Sequence, residues 1–141
     1  MDDNKIQELF IKNFILKDKR ERCESQLKDS KKRVKFTDRL NHKWDTILDV
    51  RFLMKIPSGV IDYDFVKKEL KFKDNELCYI ISNHSDIDGE ITDFRDAFDK
   101  VYGRSFGSLI INSTADKLYL ETEVVQGKQN RFIGQKKAAT N

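Results

Sequence analysis

The sequence predicts an α+β domain. A helical N-terminal half packs on a three- or four-stranded mixed sheet containing one β-α-β unit and a C-terminal hairpin. Three observations carry this expectation. Apolar residues recur at helical spacing from residue 4 to residue 48. From Leu77 onward they gather into short runs, several rich in β-branched residues, parted by polar turns. Between the halves stands Ile56-Pro57-Ser58-Gly59, which holds the chain's one proline.

Each element has its own signal. Ile6, Leu9, Phe10 and Phe14 form a helical stripe, with Asp3 placed to cap it. Ile11, Ile15 and Leu16 widen the stripe, so this helix is expected to be covered on more than one side. Residues 18–29 form a highly charged helix whose apolar seam is Cys23 and Leu27. Ser30 is placed to cap a third helix, along which Phe36, Leu40, Trp44, Ile47 and Leu48 follow helical spacing. His42, Asp45, Asp49 and Arg51 surround its exit, and Asp49 is expected to pair with Arg51 there. After the break, Ile61, Asp62 and Val66 take the positions of a hydrophobic staple around an acidic cap. Loss of such a cap costs about 0.5–2 kcal/mol.

In the second half, Leu77 to Ile81 is a continuous apolar run, the pattern of a strand buried on both faces. Asn83 to Gly89 reads as a turn. Ile91, Phe94, Ala97, Phe98 and Val101 then form a helix over 90–102, closed by Gly103. With a strand at 107–112, this predicts a parallel pair joined by a right-handed crossover. Asn112 to Asp116 reads as a hairpin loop. Leu118, Leu120 and Thr122 alternate with Tyr119, Glu121 and Glu123, the period of a half-exposed strand with both glutamates in solvent. Gln126-Gly127-Lys128 turns the chain once more into a short strand at 131–134. The reading is one domain over 1–135 with a flexible polar tail at 136–141.

Composition narrows the class. The chain has 141 residues, which suits one domain. Charged residues make up 36%, against an ordinary level of about 25%. Leu, Ile, Val and Phe together supply 29%, above the range of below about 20% that marks disorder. The longest apolar run is five residues, against about 20 for a membrane-spanning helix. The start Met1-Asp2-Asp3 is acidic where a secretory signal is basic. Cys23 and Cys78 stand far apart, so both are expected to be reduced and structural. A cytoplasmic location is expected.

Few residues suggest a reaction. His84-Ser85-Asp86-Ile87-Asp88-Gly89-Glu90 imitates the front of a calcium loop, but Arg95 stands where the closing bidentate Glu belongs. A better use of the acids is for Asp88 to cap the following helix and for Glu90 to complement its dipole. Cys78 lies in an apolar strand where a thiol is inert. His42 and His84, with the two cysteines, show no zinc-ligand spacing. No Gly-rich nucleotide motif and no G-x-S-x-G is present. Gly103-Arg104-Ser105-Phe106-Gly107 has the makings of a phosphate contact, but reads more simply as a helix stop. No catalytic residue, metal or cofactor is expected.

Charge layout is more informative. Residues 17–35 hold nine basic and four acidic side chains, and residues 74–99 hold eight acidic ones against Arg95 alone. Lys31, Lys32, Arg33, Lys35 and Arg39 form a candidate basic face, and Asp86, Asp88, Asp93 and Asp96 a candidate acidic face. The expectation is a non-enzymatic interaction domain that docks another protein through these faces. The alternative is a nucleic-acid-binding accessory that uses the basic segment 17–39.

Lys19-Arg20-Glu21-Arg22, the Lys32-Arg33-x-Lys35-Phe36 stretch continuing to Leu40-x-His42, and Asp49-x-Arg51-Phe52 are similar to the N-terminal half of a widespread group of small uncharacterised bacterial proteins. Cys78-Tyr79-x-Ile81-Ser82, Asp88-Gly89 and Leu118-x-Leu120-Glu121-x-Glu123 resemble its C-terminal half. The resemblance implies one α+β domain of bacterial origin and carries over no reaction, cofactor or site. Size and context extend the expectation to a bacterial conflict system, as a toxin-neutralising immunity protein or a phage-defence accessory.

Overall fold

The computed structural model describes residues 2–126 and 130–136. Helix α1 (Asp3–Phe14) is capped by Asp2, one residue ahead of the expected cap, and its Oδ1 accepts from the Asn4 amide at 3.0 Å. Helix α2 (Arg20–Lys28) buries Cys23, Gln26 and Leu27. Helix α3 (Arg33–His42) starts later than Ser30 implies and has no side-chain cap; the turn before it is held by Asp29, whose carboxylate accepts from the Lys31 amide. The helical spacing of Trp44, Ile47 and Leu48 does not prolong α3. Trp44–Thr46 is a single 3-10 turn, and Leu48 then bridges to Ile15. The expected Asp49–Arg51 ion pair is present at 2.6 Å.

The second half comprises β1 (Leu53–Lys55), α4 (Asp62–Leu70), β2 (Leu77–Ser82), β3 (Ile91–Asp93), α5 (Phe94–Val101), β4 (Ser108–Asn112), β5 (Lys117–Glu121) and β6 (Arg131–Gln135). The six strands stand in the order β1-β6-β5-β4-β2-β3, and every neighbouring pair is antiparallel. The α+β class therefore holds, but the mixed sheet of three or four strands does not. The four longer strands lie where the sequence places them. The two additional ones, β1 and β3, are three-residue edge strands, too short to show a period. Residues 91–93 also explain the lost parallel pair. They are strand, not the first turn of the following helix, so the chain reverses once more before β4 and meets β2 antiparallel.

The sheet is covered on both faces. Tyr79, Ile81, Leu109, Ile111, Leu118, Leu120 and Phe132 join the core under α1, α2 and α3. The alternate residues Cys78, Ile80, Ile110, Tyr119 and Ile133 join a second core under α4 and α5. This corrects the half-exposed reading of β5. Tyr119 and Glu121 are fully buried, and only Glu123, beyond the strand, reaches solvent. Gly107 is required by close approach, because a Cβ there would lie 2.6 Å from the Asn41 backbone nitrogen at the end of α3. Gly103 closes α5 with φ 78, as expected.

The staple at α4 is not formed. Ile61 is 72% exposed, and Asp62 makes no cap bond. Its side chain turns inward instead and pairs with the Arg131 Nε at 2.5 Å. The expected turn at 126–128 and the tail at 136–141 lie largely outside the described residues. Lys136 is described, and its amide donates to the Asp116 carbonyl at 2.9 Å.

The Asp62 side chain is 4% exposed and that of Arg131 is 32% exposed. Removing the cation strands a buried carboxylate, whereas removing the carboxylate leaves a guanidinium that can turn to water. Arg131→Ala is expected to lower unfolding stability by about 3–5 kcal/mol, and Asp62→Ala by about 1–2 kcal/mol. Urea melts of both variants check the order, and a larger loss in Asp62→Ala contradicts the geometry.

Candidate docking surface

The structure divides the predicted basic face. Arg33, in the first turn of α3, points inward, not to solvent. Its Nε donates to Asp88 Oδ2 at 2.5 Å, its Nη2 to Asp88 Oδ1 at 3.1 Å and to the Tyr79 hydroxyl at 2.7 Å, and its Nη1 to the Leu27 carbonyl at 3.2 Å. Both charged side chains are more than four-fifths covered. Arg33 and Asp88 are thus a bridge between the helical layer and the turn after β2. Arg39 lies partly buried against Gln26 Oε1. Lys31, Lys32 and Lys35 remain exposed. None of the ion pairs found among the described residues uses any of the three.

Two of these lysines line an open cleft of about 540 Å³ between α2 and α3. Lys35 lines it from α3 and Lys32 from the turn just before, Arg22, Ser25 and Gln26 line it from α2, and Asp18 and Glu21 complete the lining. Arg22, Ser25 and Gln26 are absent from the face read off the sequence. Their helical spacing with Cys23 and Leu27 shows only which side of α2 is buried. It does not show that α3 lies alongside the remaining side.

The acidic face is divided as well. Asp88 is consumed by Arg33 and also accepts from the Ser82 amide at 2.9 Å, so it does not cap a helix. Asp93 caps α5 by accepting from the Asp96 amide at 2.8 Å. Asp96 accepts from Thr92 Oγ1 at 2.7 Å and pairs with Lys100 at 3.0 Å. Glu90 pairs with Lys100 too. Asp86 alone of the four predicted acids is exposed.

The groups considered for chemistry are occupied or quiet. Cys78 is fully buried, and burial, with Glu76 and Asp93 nearby, pushes its thiol up to about 12. Burial also raises Cys23, against the pull of Arg39, Arg22 and Lys19. His84 packs on the ring of Phe106 at 4.9 Å, and its Nδ1 accepts from the Asp86 amide. His42 faces Glu123 at 3.1 Å on the surface. The Gly103–Gly107 loop does present amides to an anion, but the anion is internal: Glu121 accepts from the Gly103 and Ser105 amides, both at 2.9 Å, and from the Tyr119 hydroxyl at 2.9 Å. Among the described residues, no group of three or more His, Cys, Asp or Glu is placed to hold a metal ion. No described helix is long and apolar enough to cross a membrane.

Compared with protein-family models, with curated proteins and with solved structures, the chain has no match in any of the three.

Two outcomes follow from these electrostatics. Arg33→Leu leaves Asp88 covered and without its cation, and is expected to cost about 3–5 kcal/mol in a denaturant melt; a loss within 0.5 kcal/mol, about the ordinary size for a surface change, contradicts the bridge. The second outcome concerns acid. Hydrogen bonds from Thr92 and Lys100 lower Asp96, and those from Asn112 and Thr114 lower Asp116 against the opposing effect of burial. A lowered native value stabilises above the ordinary carboxylate range, and that stability is lost as pH falls through the native value. Stability should hold from neutrality to about pH 4 and then fall, less steeply in Asp116→Asn. Melts across pH check this, and an unchanged slope in that variant contradicts it.

Proposed function

We infer that this chain is a non-enzymatic docking domain that binds the acidic surface of another protein through the cleft between α2 and α3. One observation carries the reading: once Arg33 is turned inward, Lys32 and Lys35 remain exposed along a cleft that Arg22 also lines, and Lys31, next in the chain to Lys32, is exposed as well. Uncompensated cations at the start of α3 oppose its dipole. That arrangement costs stability in the free domain and is relieved when carboxylates arrive. Charge complementarity of this kind sets encounter rate and partner choice.

The cleft favours a protein over nucleic acid. Asp18 and Glu21 share its lining with the cations, and two carboxylates in the path of a phosphate backbone repel it. A protein surface of mixed charge can meet both ends. A toxin-neutralising or phage-defence role in a bacterium is a setting that uses such stoichiometric capture, and it belongs to the same proposal.

The test is a charge reversal. Lys31→Glu, Lys32→Glu and Lys35→Glu together are compared with a reversal of Lys71 and Lys73 after α4, outside this cleft and the groove between α4 and α5. Tagged wild type and both variants are cross-linked in cells of the source and the partners quantified by mass spectrometry; binding of a duplex DNA and a single-stranded RNA is measured across salt. Loss of a partner protein in the first variant and its retention in the second is the expected result. Equal retention in both overturns the reading. So does salt-dependent nucleic-acid binding that the first reversal abolishes, which supports the alternative.

A further inference from the structure

Across the sheet from the cleft between α2 and α3 lies a groove of different chemistry. The groove, of about 660 Å³, runs between the start of α4 and the outer side of α5. Its walls are aromatic: Phe98 stands 5.2 Å from Tyr63 and stacks on Tyr102 at 5.0 Å. Its rim is apolar and uncovered, with Ile61 72%, Tyr102 43% and Val60 39% exposed. The same Val60–Ile61 ridge borders a shallower hollow on its other side, so the apolar surface extends over both. Aromatic side chains set in a groove beside charged residues are the make-up of anchor pockets in protein interfaces.

The chain's own cations show what the groove accepts. The Arg95 guanidinium lies 4.8 Å from the Tyr63 ring centroid and 3.8 Å from Asp99, yet the side chain is 61% exposed. The Arg131 guanidinium lies over the ring of Tyr102 at 5.8 Å. The ring faces are electron-rich, and Asp64 adds an exposed carboxylate that takes part in none of the ion pairs among the described residues. Arg95 is thus a largely exposed cation held by Tyr63 and Asp99, at a ring that Lys67 Nζ also overlies at 5.3 Å: the ring already gathers cations, and an apolar rim lies beside it.

We propose that this groove docks a segment of another protein bearing an Arg or Lys flanked by apolar residues, whose cation takes the place of Arg95 between the Tyr63 ring and Asp99. The apolar flanks cover Ile61, Val60 and Tyr102. This surface is independent of the cleft between α2 and α3, and its failure leaves that reading untouched.

The displacement gives a test with a sign that a merely structural role does not produce. Two synthetic peptides serve as probes, one of alternating Leu and Arg and one of alternating Leu and Glu. Binding to the full chain is followed by two-dimensional NMR at moderate salt. The arginine peptide is expected to shift Ile61, Tyr63, Phe98 and Tyr102, and the glutamate peptide is not. Arg95→Ala vacates the seat and is expected to tighten the arginine peptide by about two- to fivefold, and Asp99→Asn to weaken it by a similar factor. Both sites are largely exposed, so folding is not at stake. Equal response to the two peptides, no response, or weaker binding in Arg95→Ala overturns the proposal. Concentration-dependent shifts of the same residues without peptide also overturn it, because the occupant is then a second copy of the chain.

Discussion

The ion pair between Arg33 and Asp88 is the constraint on which the rest of the structure turns. It joins α3 to the turn after β2, takes the Tyr79 hydroxyl and the Leu27 carbonyl into the same network, and excludes most solvent from both charges. Gln7 of α1 completes it by donating to the Tyr79 hydroxyl at 2.8 Å. Three of the layer's elements are thereby fixed to one strand. A covered pair is expensive to desolvate and more expensive to leave half-made, so its main effect is to specify register: a different seating of α3 leaves the covered Asp88 carboxylate without its cation and the Tyr79 hydroxyl with Gln7 alone. The same pair decides which charges remain for function, because it removes one residue from each of the faces that the sequence sets against each other.

That division explains what was and was not legible in the sequence. The stripes of α1 and α5, the buried run of β2, the loop at Asn112 and the stop at Gly103 each depend on residues close in the chain, and each was readable. The edge strands β1 and β3 are three residues long, and such a stretch carries no period. Missing β3 was enough to invert the direction of β4 relative to β2. Asp62 failed as a cap for a related reason. An acid before a helix is an N-cap signal unless a distant cation competes, and Arg131 lies far along the chain on β6. Glu121 misled in the same way: alternation placed it in solvent, while three donors from Tyr119 and the loop after α5 hold it inside. Tyr79 did carry a signal. A hydroxyl within an otherwise apolar buried run requires a polar partner, though not a particular one.

The two helical layers differ in what they leave exposed. On the side of α1, α2 and α3 several acids are spent locally. Glu24 pairs with Lys28, Asp49 with Arg51, and Asp29 holds a turn, while Lys31, Lys32 and Lys35 enter none of the ion pairs among the described residues. On the side of α4 and α5 several acids pair locally with Lys67 and Lys100, and beside the exposed Asp64 an aromatic and aliphatic rim is left uncovered. A sheet buried on both faces keeps these surfaces apart. They cannot neutralise each other across two cores, so each remains open to solvent.

This separation bears on mechanism more than total charge does. A net charge of +3 on 141 residues steers little at physiological ionic strength, where the Debye length is about 8 Å. Lysines grouped within a turn or two of one another act over that distance, and their effect rests on local density. Arg33 turned inward lowers that density, but it fixes the first turn of α3 to the sheet, and with it Lys35 on the helix and the preceding turn that bears Lys31 and Lys32. Side chains borne on an ordered segment lose less entropy on docking than those on a free loop. Under the proposed docking, the inward arginine contributes without touching the partner, by holding still the surface that would.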